Sequence, residues 1–202
     1  MNLANKLTVA RIFMIPVLVL FMYLDNFWTR IFALVIFIIA ALTDAFDGVI
    51  ARRQKTITTL GIFLDPLADK LLISAALISF VGMKELHVPA WMVIIIISRE
   101  FVITGLRSLA ASRNIIIAAS KQGKFKTTSQ ITAIIATMLI LIINAALDHH
   151  ALNHAATVAA GPNTALGWAL AHFPFWLMFV ATFFTVTSGV SYLVKHKELF
   201  KE

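Results

Sequence analysis

Four aspartates, Asp44, Asp47, Asp65 and Asp69, stand with Gly48, Arg52 and Gly61 in the run DAFDGVIAR, eight further residues, then GIFLDPLAD. The run is embedded in a chain that is 60% hydrophobic. A carboxylate at the centre of a membrane helix costs about 3 kcal/mol, and four would cost on the order of 10 kcal/mol if nothing positive were bound among them. On a helix Asp44, Asp47 and Gly48 share one face, being three and four residues apart, and Gly61, Asp65 and Asp69 share a face on a second helix. Two such faces brought together converge four hard oxygen donors, with no His or Cys among them. That donor set suits Mg²⁺ or Mn²⁺ rather than Zn²⁺. Four carboxylates suffice for two ions, the arrangement that clamps the attacking and leaving oxygens in phosphoryl transfer. A single pair at a membrane boundary would be an ordinary helix-end charge; two pairs with aligned glycines are not.

The elements that must carry these groups are membrane helices. The chain has 202 residues and several apolar runs close to the ~20 residues that span a bilayer. It contains no cysteine, which removes disulfides, thiolate metal sites and a cysteine nucleophile. The net charge of +7 fits loops beside anionic headgroups better than nucleic acid in so apolar a chain. The first apolar run holds Pro16, lacks a small-residue cleavage site and is followed by further spans, so no cleaved signal peptide is expected.

The expected fold is all-α: one domain over residues 1–202, with a short interfacial helix over 1–11 and six transmembrane helices in one bundle. The spans are placed at about 12–24, 31–51, 60–82, 89–110, 127–147 and 168–194, with basic loops at Arg52–Lys55 and over 111–126. Pro66 removes one backbone donor and is expected to disturb the turn before it. All but Arg30 and Lys84 of the seventeen Lys and Arg residues then fall on one side, which places both termini and the aspartates at the cytoplasmic face. Trp28, Trp91, Trp168 and Trp176 read as interface anchors or packing. His149, His150 and His154 fall in a polar loop, 148–166, on the opposite side, and read as solvated loop residues rather than a metal site.

Several cations share the aspartates' side. Arg107, Arg113, Lys124 and Lys126 around one pocket would suit an acceptor that carries its own phosphate. Arg99 and Glu100 lie inside an apolar span, so they should pair or face a polar cavity.

The pattern D-x2-D-G-x2-A-R-x8-G-x3-D-x3-D is matched in full by Asp44, Asp47, Gly48, Ala51, Arg52, Gly61, Asp65 and Asp69. It resembles the signature of the CDP-alcohol phosphotransferase family of integral membrane enzymes. Asn5-x-Leu7-Thr8-x-x-Arg11, Ser98-Arg99-Glu100 with Arg107, and Gly123-Lys124-Phe125-Lys126-Thr127 with Gln130 resemble the bacterial branch whose acceptor is glycerol 3-phosphate. The resemblance implies two divalent cations held by Asp44, Asp47, Asp65 and Asp69, with Asp69 also taking the proton from the attacking hydroxyl. It implies CDP binding at Gly48, Ala51, Arg52 and Gly61, where a Cβ on either glycine would block the nucleotide. The substrates would be CDP-diacylglycerol and sn-glycerol 3-phosphate, the products phosphatidylglycerol phosphate and CMP. The setting would be a homodimer among the lipids of a bacterial inner membrane, with the site facing the cytoplasm. Other acceptors (inositol phosphate, serine, phosphatidylglycerol) stay open at this point, as do two remoter alternatives. A membrane prenyltransferase would separate its aspartate motifs further, and an ion transporter would carry its carboxylates near mid-membrane.

Overall fold

The computed structural model describes residues 3–54, 59–112, 121–149 and 164–195, with backbone alone for 3–5, 44–54, 59–66, 69, 111–112, 121–124, 148–149 and 165. The described residues form six α-helices and one 3₁₀ turn, without strands: α1 Leu3–Tyr23, α2 Phe27–Gln54, α3 Thr59–Gly82, a 3₁₀ turn Lys84–Leu86, α4 Ala90–Ser112, α5 Lys121–His149 and α6 Ala165–Lys195. Lys6–Tyr23, Phe125–Leu147 and Leu166–Lys195 are long and apolar enough to cross a membrane, and Phe27–Thr43 and Lys70–Gly82 are shorter apolar helices. Helices are what such sequences must form in lipid, because each backbone group then finds its partner within its own segment.

Three sequence expectations change. The interfacial helix over 1–11 is not a separate element, since residues 3–11 continue without a break into the first apolar segment as α1. Thr8 and Arg11 are buried in the bundle, so this stretch is held by packing rather than by a membrane surface. The described parts of the basic loops are helical: Arg52 and Arg53 lie in the last turn of α2, and Lys121, Lys124 and Lys126 in the first two turns of α5. Helix α3 carries on through Pro66. Lys55, Arg113, His150, His154 and Gly161–Asn163 lie outside the described residues.

Local chemistry sets the helix starts. Asn26 caps α2, its Oδ1 accepting from the Trp28 amide at 3.1 Å. Thr164 caps α6 through its Oγ1 and the Gly167 amide, also at 3.1 Å. His87, after the 3₁₀ turn, adopts a left-handed conformation (φ 49°) that ends the turn and redirects the chain into α4.

The helices pack as a ring. Going round it, α1 lies against α2, α2 against α5, α5 against α6, α6 against α4, α4 against α3, and α3 against α1. α1 packs extensively on both α2 and α3, whereas α4 and α5, consecutive in the chain, hardly approach each other among the described residues. The apolar core, including Leu18, Met22, Phe37, Leu77, Phe80, Met92 and Met178, fills one end of the ring. The exposed indoles of Trp28, Trp91 and Trp168 sit near the helix starts at that same end, as an interfacial aromatic belt would. Buried polar side chains collect toward the other end, where α1, α3 and α5 begin and α2, α4 and α6 finish.

Candidate active site

The aspartate pattern occupies the two helix ends at the polar pole. Asp44, Asp47, Gly48, Ala51 and Arg52 lie on the last three turns of α2, and Gly61, Asp65 and Asp69 on the first three turns of α3. Only residues 55–58 separate the two helices in sequence, and the helices contact each other directly. Both stripes are thus helical, as their spacing requires, on neighbouring elements. The side chains of these eight residues lie outside the described residues. Their chemistry, four carboxylates with no competing nitrogen or sulfur, fits hard divalent cations. Among the residues whose side chains are described, no group of three His, Asp or Glu could hold a metal.

Beside this hairpin, four helices contribute a buried charged cluster. Glu100 of α4 accepts from Lys70 Nζ of α3 through Oε2 at 3.1 Å, and from Lys126 Nζ of α5 through Oε1. Arg99 Nη2 donates to Ser188 Oγ of α6 at 2.9 Å, and its Nη1 lies 3.5 Å from Glu100 Oε1. One turn into α5 from Lys126, Gln130 is buried and donates through Nε2 to Thr185 Oγ1 of α6 at 3.1 Å. Two turns beyond Arg99, Arg107 is exposed, with its guanidinium carbon 5.6 Å from the centre of the Tyr192 ring, a cation–π contact onto α6.

Of the residues expected to grip an acceptor phosphate, the structure brings Lys126 into this cluster and sets Arg107 at its rim on Tyr192. The backbone of Lys124 lies on the first turn of α5, with its side chain outside the described residues. Lys70 is a member of the cluster that sequence reasoning does not single out. A signal for it exists, since a lysine next to an aspartate inside an apolar helix must find a partner. Arg11 likewise counts in sequence as one more basic residue of the cytoplasmic side, yet it is almost wholly buried on α1, the helix that packs on both α2 and α3.

The cluster is cation-rich. Lys70, Lys126 and Arg99 converge on a single carboxylate, and Arg107 adds a fourth positive group nearby. Lys121, Lys124 and Lys126 begin α5, where the helix dipole already presents positive charge and further cations are unfavourable unless an anion joins them.

Residues 1–187 match the CDP-alcohol phosphatidyltransferase family. A Bacillus subtilis protein named CDP-diacylglycerol–glycerol-3-phosphate 3-phosphatidyltransferase is 41% identical over 214 residues, covering 99% of this chain and 97% of the relative. A Rickettsia felis protein of the same name is 39% identical over 140 residues, 69% of this chain and 75% of the relative. A Mycobacterium tuberculosis protein named as a probable phosphatidylglycerophosphate synthase is 43% identical over 136 residues, 66% of this chain and 64% of the relative.

Proposed function

Because the chain belongs to the CDP-alcohol phosphatidyltransferase family, a family of membrane-bound transferases that work with divalent cations, we propose that it transfers the phosphatidyl group of CDP-diacylglycerol to the 1-hydroxyl of sn-glycerol 3-phosphate. The products are phosphatidylglycerol phosphate and CMP. What supports this acceptor is the convergence of Lys70, Lys126 and Arg99 on Glu100, with Arg107 at the rim, at the same pole of the bundle as the aspartate stripes. Such a gathering of basic side chains suits an acceptor that carries a phosphate, because ammonium and guanidinium groups pair with phosphate oxygens. The names of the relatives favour the same acceptor.

In this reading Asp44, Asp47, Asp65 and Asp69 hold two divalent cations, Mg²⁺ or Mn²⁺. Such ions, when bound, neutralise the diphosphate and stabilise the departing CMP. Gly48, Ala51, Arg52 and Gly61 accept the cytidine diphosphate, the glycines leaving room for the nucleotide against the helix backbones. Asp69 takes the proton from the acceptor hydroxyl. A carboxylate beside cations is a weak base, so that transfer comes late, as the new oxygen–phosphorus bond forms. Lys126 and Arg107, together with Arg113 and Lys124, orient the acceptor by its phosphate. The protein works as a homodimer in a bacterial inner membrane, with six spans, both termini cytoplasmic and the site open to soluble glycerol 3-phosphate. The lopsided distribution of Lys and Arg supports that orientation.

The test is CMP release by purified protein supplied with CDP-diacylglycerol and Mg²⁺, with and without glycerol 3-phosphate, then with EDTA. Release that needs both the acceptor and the metal is expected. Equal release with serine or inositol phosphate in place of glycerol 3-phosphate would overturn the acceptor assignment.

A further inference from the structure

Three charged side chains from three helices meet inside the bundle, where α5 packs sparsely on the other two among the described residues. α3 and α5 touch at few places, and α4 scarcely meets α5. Glu100 spans the gap with one oxygen to each lysine, Oε2 to Lys70 and Oε1 to Lys126, and all three side chains are largely buried. Arg99, its neighbour in sequence, is turned toward α6 and fixed on Ser188. A buried ion triad is a poor device for stability alone, because desolvation offsets most of its Coulombic gain. It is a good device for fixing direction, since both ammonium groups lose their freedom to swing.

We propose that Glu100 is a positioning residue for the transfer reaction, holding Lys126 at the head of α5 for the acceptor and fixing the rotation of α3 through Lys70. The inference rests on the phosphatidyl-transfer reading and adds a residue to it. Lys70 follows Asp69 directly, so the two are about 100° apart around α3. A twist of α3 that breaks Lys70 from Glu100 would carry the Asp65–Asp69 stripe round by the same angle. Misplacement of reacting groups by about 1 Å is enough to cost on the order of 100-fold in rate. Three of the four proposed nucleotide contacts, Gly48, Ala51 and Arg52, lie on α2 and only Gly61 on α3, so the donor should respond less than the acceptor to loss of this bridge.

The experiment measures kcat, the KM of each substrate and the melting temperature for the wild type, Glu100→Gln and Glu100→Asp. Glu100→Gln keeps the shape and removes the charge. It is expected to lower kcat and raise the glycerol 3-phosphate KM, each about tenfold, with the CDP-diacylglycerol KM within about twofold. Glu100→Asp, which keeps the charge on a shorter stem, should recover part of both. Wild-type kinetics in Glu100→Gln would overturn the proposal. So would a loss of kcat that tracks a lowered melting temperature, with both KM values unchanged and no recovery in Glu100→Asp. Should Glu100→Gln not fold, Glu100→Asp decides: a rise of about threefold in acceptor KM supports the role, and an unchanged value overturns it. If wild-type protein releases CMP only with another acceptor, the glycerol 3-phosphate reading fails by itself, and the same split measured with that acceptor decides whether Glu100 positions it.

Discussion

The two poles of the bundle use the same residue types in opposite proportion. At the pole carrying the apolar core, one buried arginine serves two carboxylates. Arg30 Nη2 donates to Asp25 at 2.9 Å and to Glu85 at 2.7 Å, while Nη1 donates to the Leu141 carbonyl at 2.8 Å. That clamp ties the start of α2 to the turn before α4 and to the last turns of α5. It borders a cavity of about 570 Å³ in which Lys84 brings the formal charges of Asp25, Arg30, Lys84 and Glu85 to balance. At the other pole one buried carboxylate serves two lysines, with Arg99 and Arg107 close by. In the first arrangement the formal charges balance. The second gathers basic side chains from three helices around one carboxylate, beside the helix ends that carry the four aspartates. The comparison sets a fastening against the pole where the proposed site lies.

The largest effect should come from the aspartates at the second pole. Asp69→Asn is expected to cost on the order of 100-fold or more in kcat, as loss of a general base does, while CDP-diacylglycerol still binds. Stopped turnover with retained nucleotide-lipid binding would be read by CMP release beside equilibrium binding. Undiminished activity in the purified variant would remove Asp69 as the base and the hairpin as the chemical centre.

Next come the cations. Lys126→Ala should raise the acceptor KM about tenfold and leave the donor KM nearly unchanged, because its contribution is to binding the acceptor rather than to the bond being made. Arg107→Ala should act in the same direction but less, about threefold, since its guanidinium is exposed and rests on Tyr192. Steady-state kinetics in both substrates would show it. Equal changes in both KM values would place these residues in general packing and dissolve the contrast between the poles.

Arg30→Met probes the fastening. Glu85 and Asp25 are exposed enough to regain water when the arginine is lost, so the penalty falls below the roughly 3–5 kcal/mol typical of a broken buried pair, at about 2 kcal/mol. A lower melting temperature with unchanged kcat and KM per folded molecule is expected. Altered acceptor kinetics would mean that the poles are coupled and that the cavity at Arg30 communicates with the site.

How far the sequence reveals this division depends on the length scale of each signal. The aspartate stripes are legible because the chemistry and the helical period are both local: three and four residues along one helix decide which groups share a face. The apolar helices are legible for the same reason, and their starts and ends agree to within about four residues except at α5, which begins earlier than expected, and at α1. There, Thr8 and Arg11 look like an amphipathic surface pattern in one dimension, and only the packing of α1 on both α2 and α3 turns them inward. The Glu100 cluster is legible only in part. A charged pair inside an apolar run announces that partners exist, but Lys70 and Lys126 lie 30 and 26 residues away on other helices, so ring order alone selects them. Counting Lys and Arg gives a direction across the membrane, yet it treats Arg11, Lys70 and Lys126 as loop charges when the bundle buries all three to some degree.

The smallest effect sharpens the comparison most, because it touches no charge. Gly189 of α6 faces the stem of Arg99, and a Cβ there would stand 3.1 Å from Arg99 Cγ and 3.8 Å from Cδ. Contact at 3.1 Å is tighter than carbon atoms prefer, so Gly189→Ala must push the arginine stem aside by a few tenths of an ångström. The stem is flexible, but its head is fixed on Ser188 Oγ one residue away on the same helix, so the shift falls on the direction of the guanidinium rather than on the fold. Gly189→Ala is therefore expected to keep the melting temperature within a few degrees and raise the acceptor KM about twofold, with the donor KM unmoved. The converse pattern, a clear drop in melting temperature with neither KM altered, would make Arg99 a second fastening like Arg30 and leave the acceptor to the other basic residues of that pole.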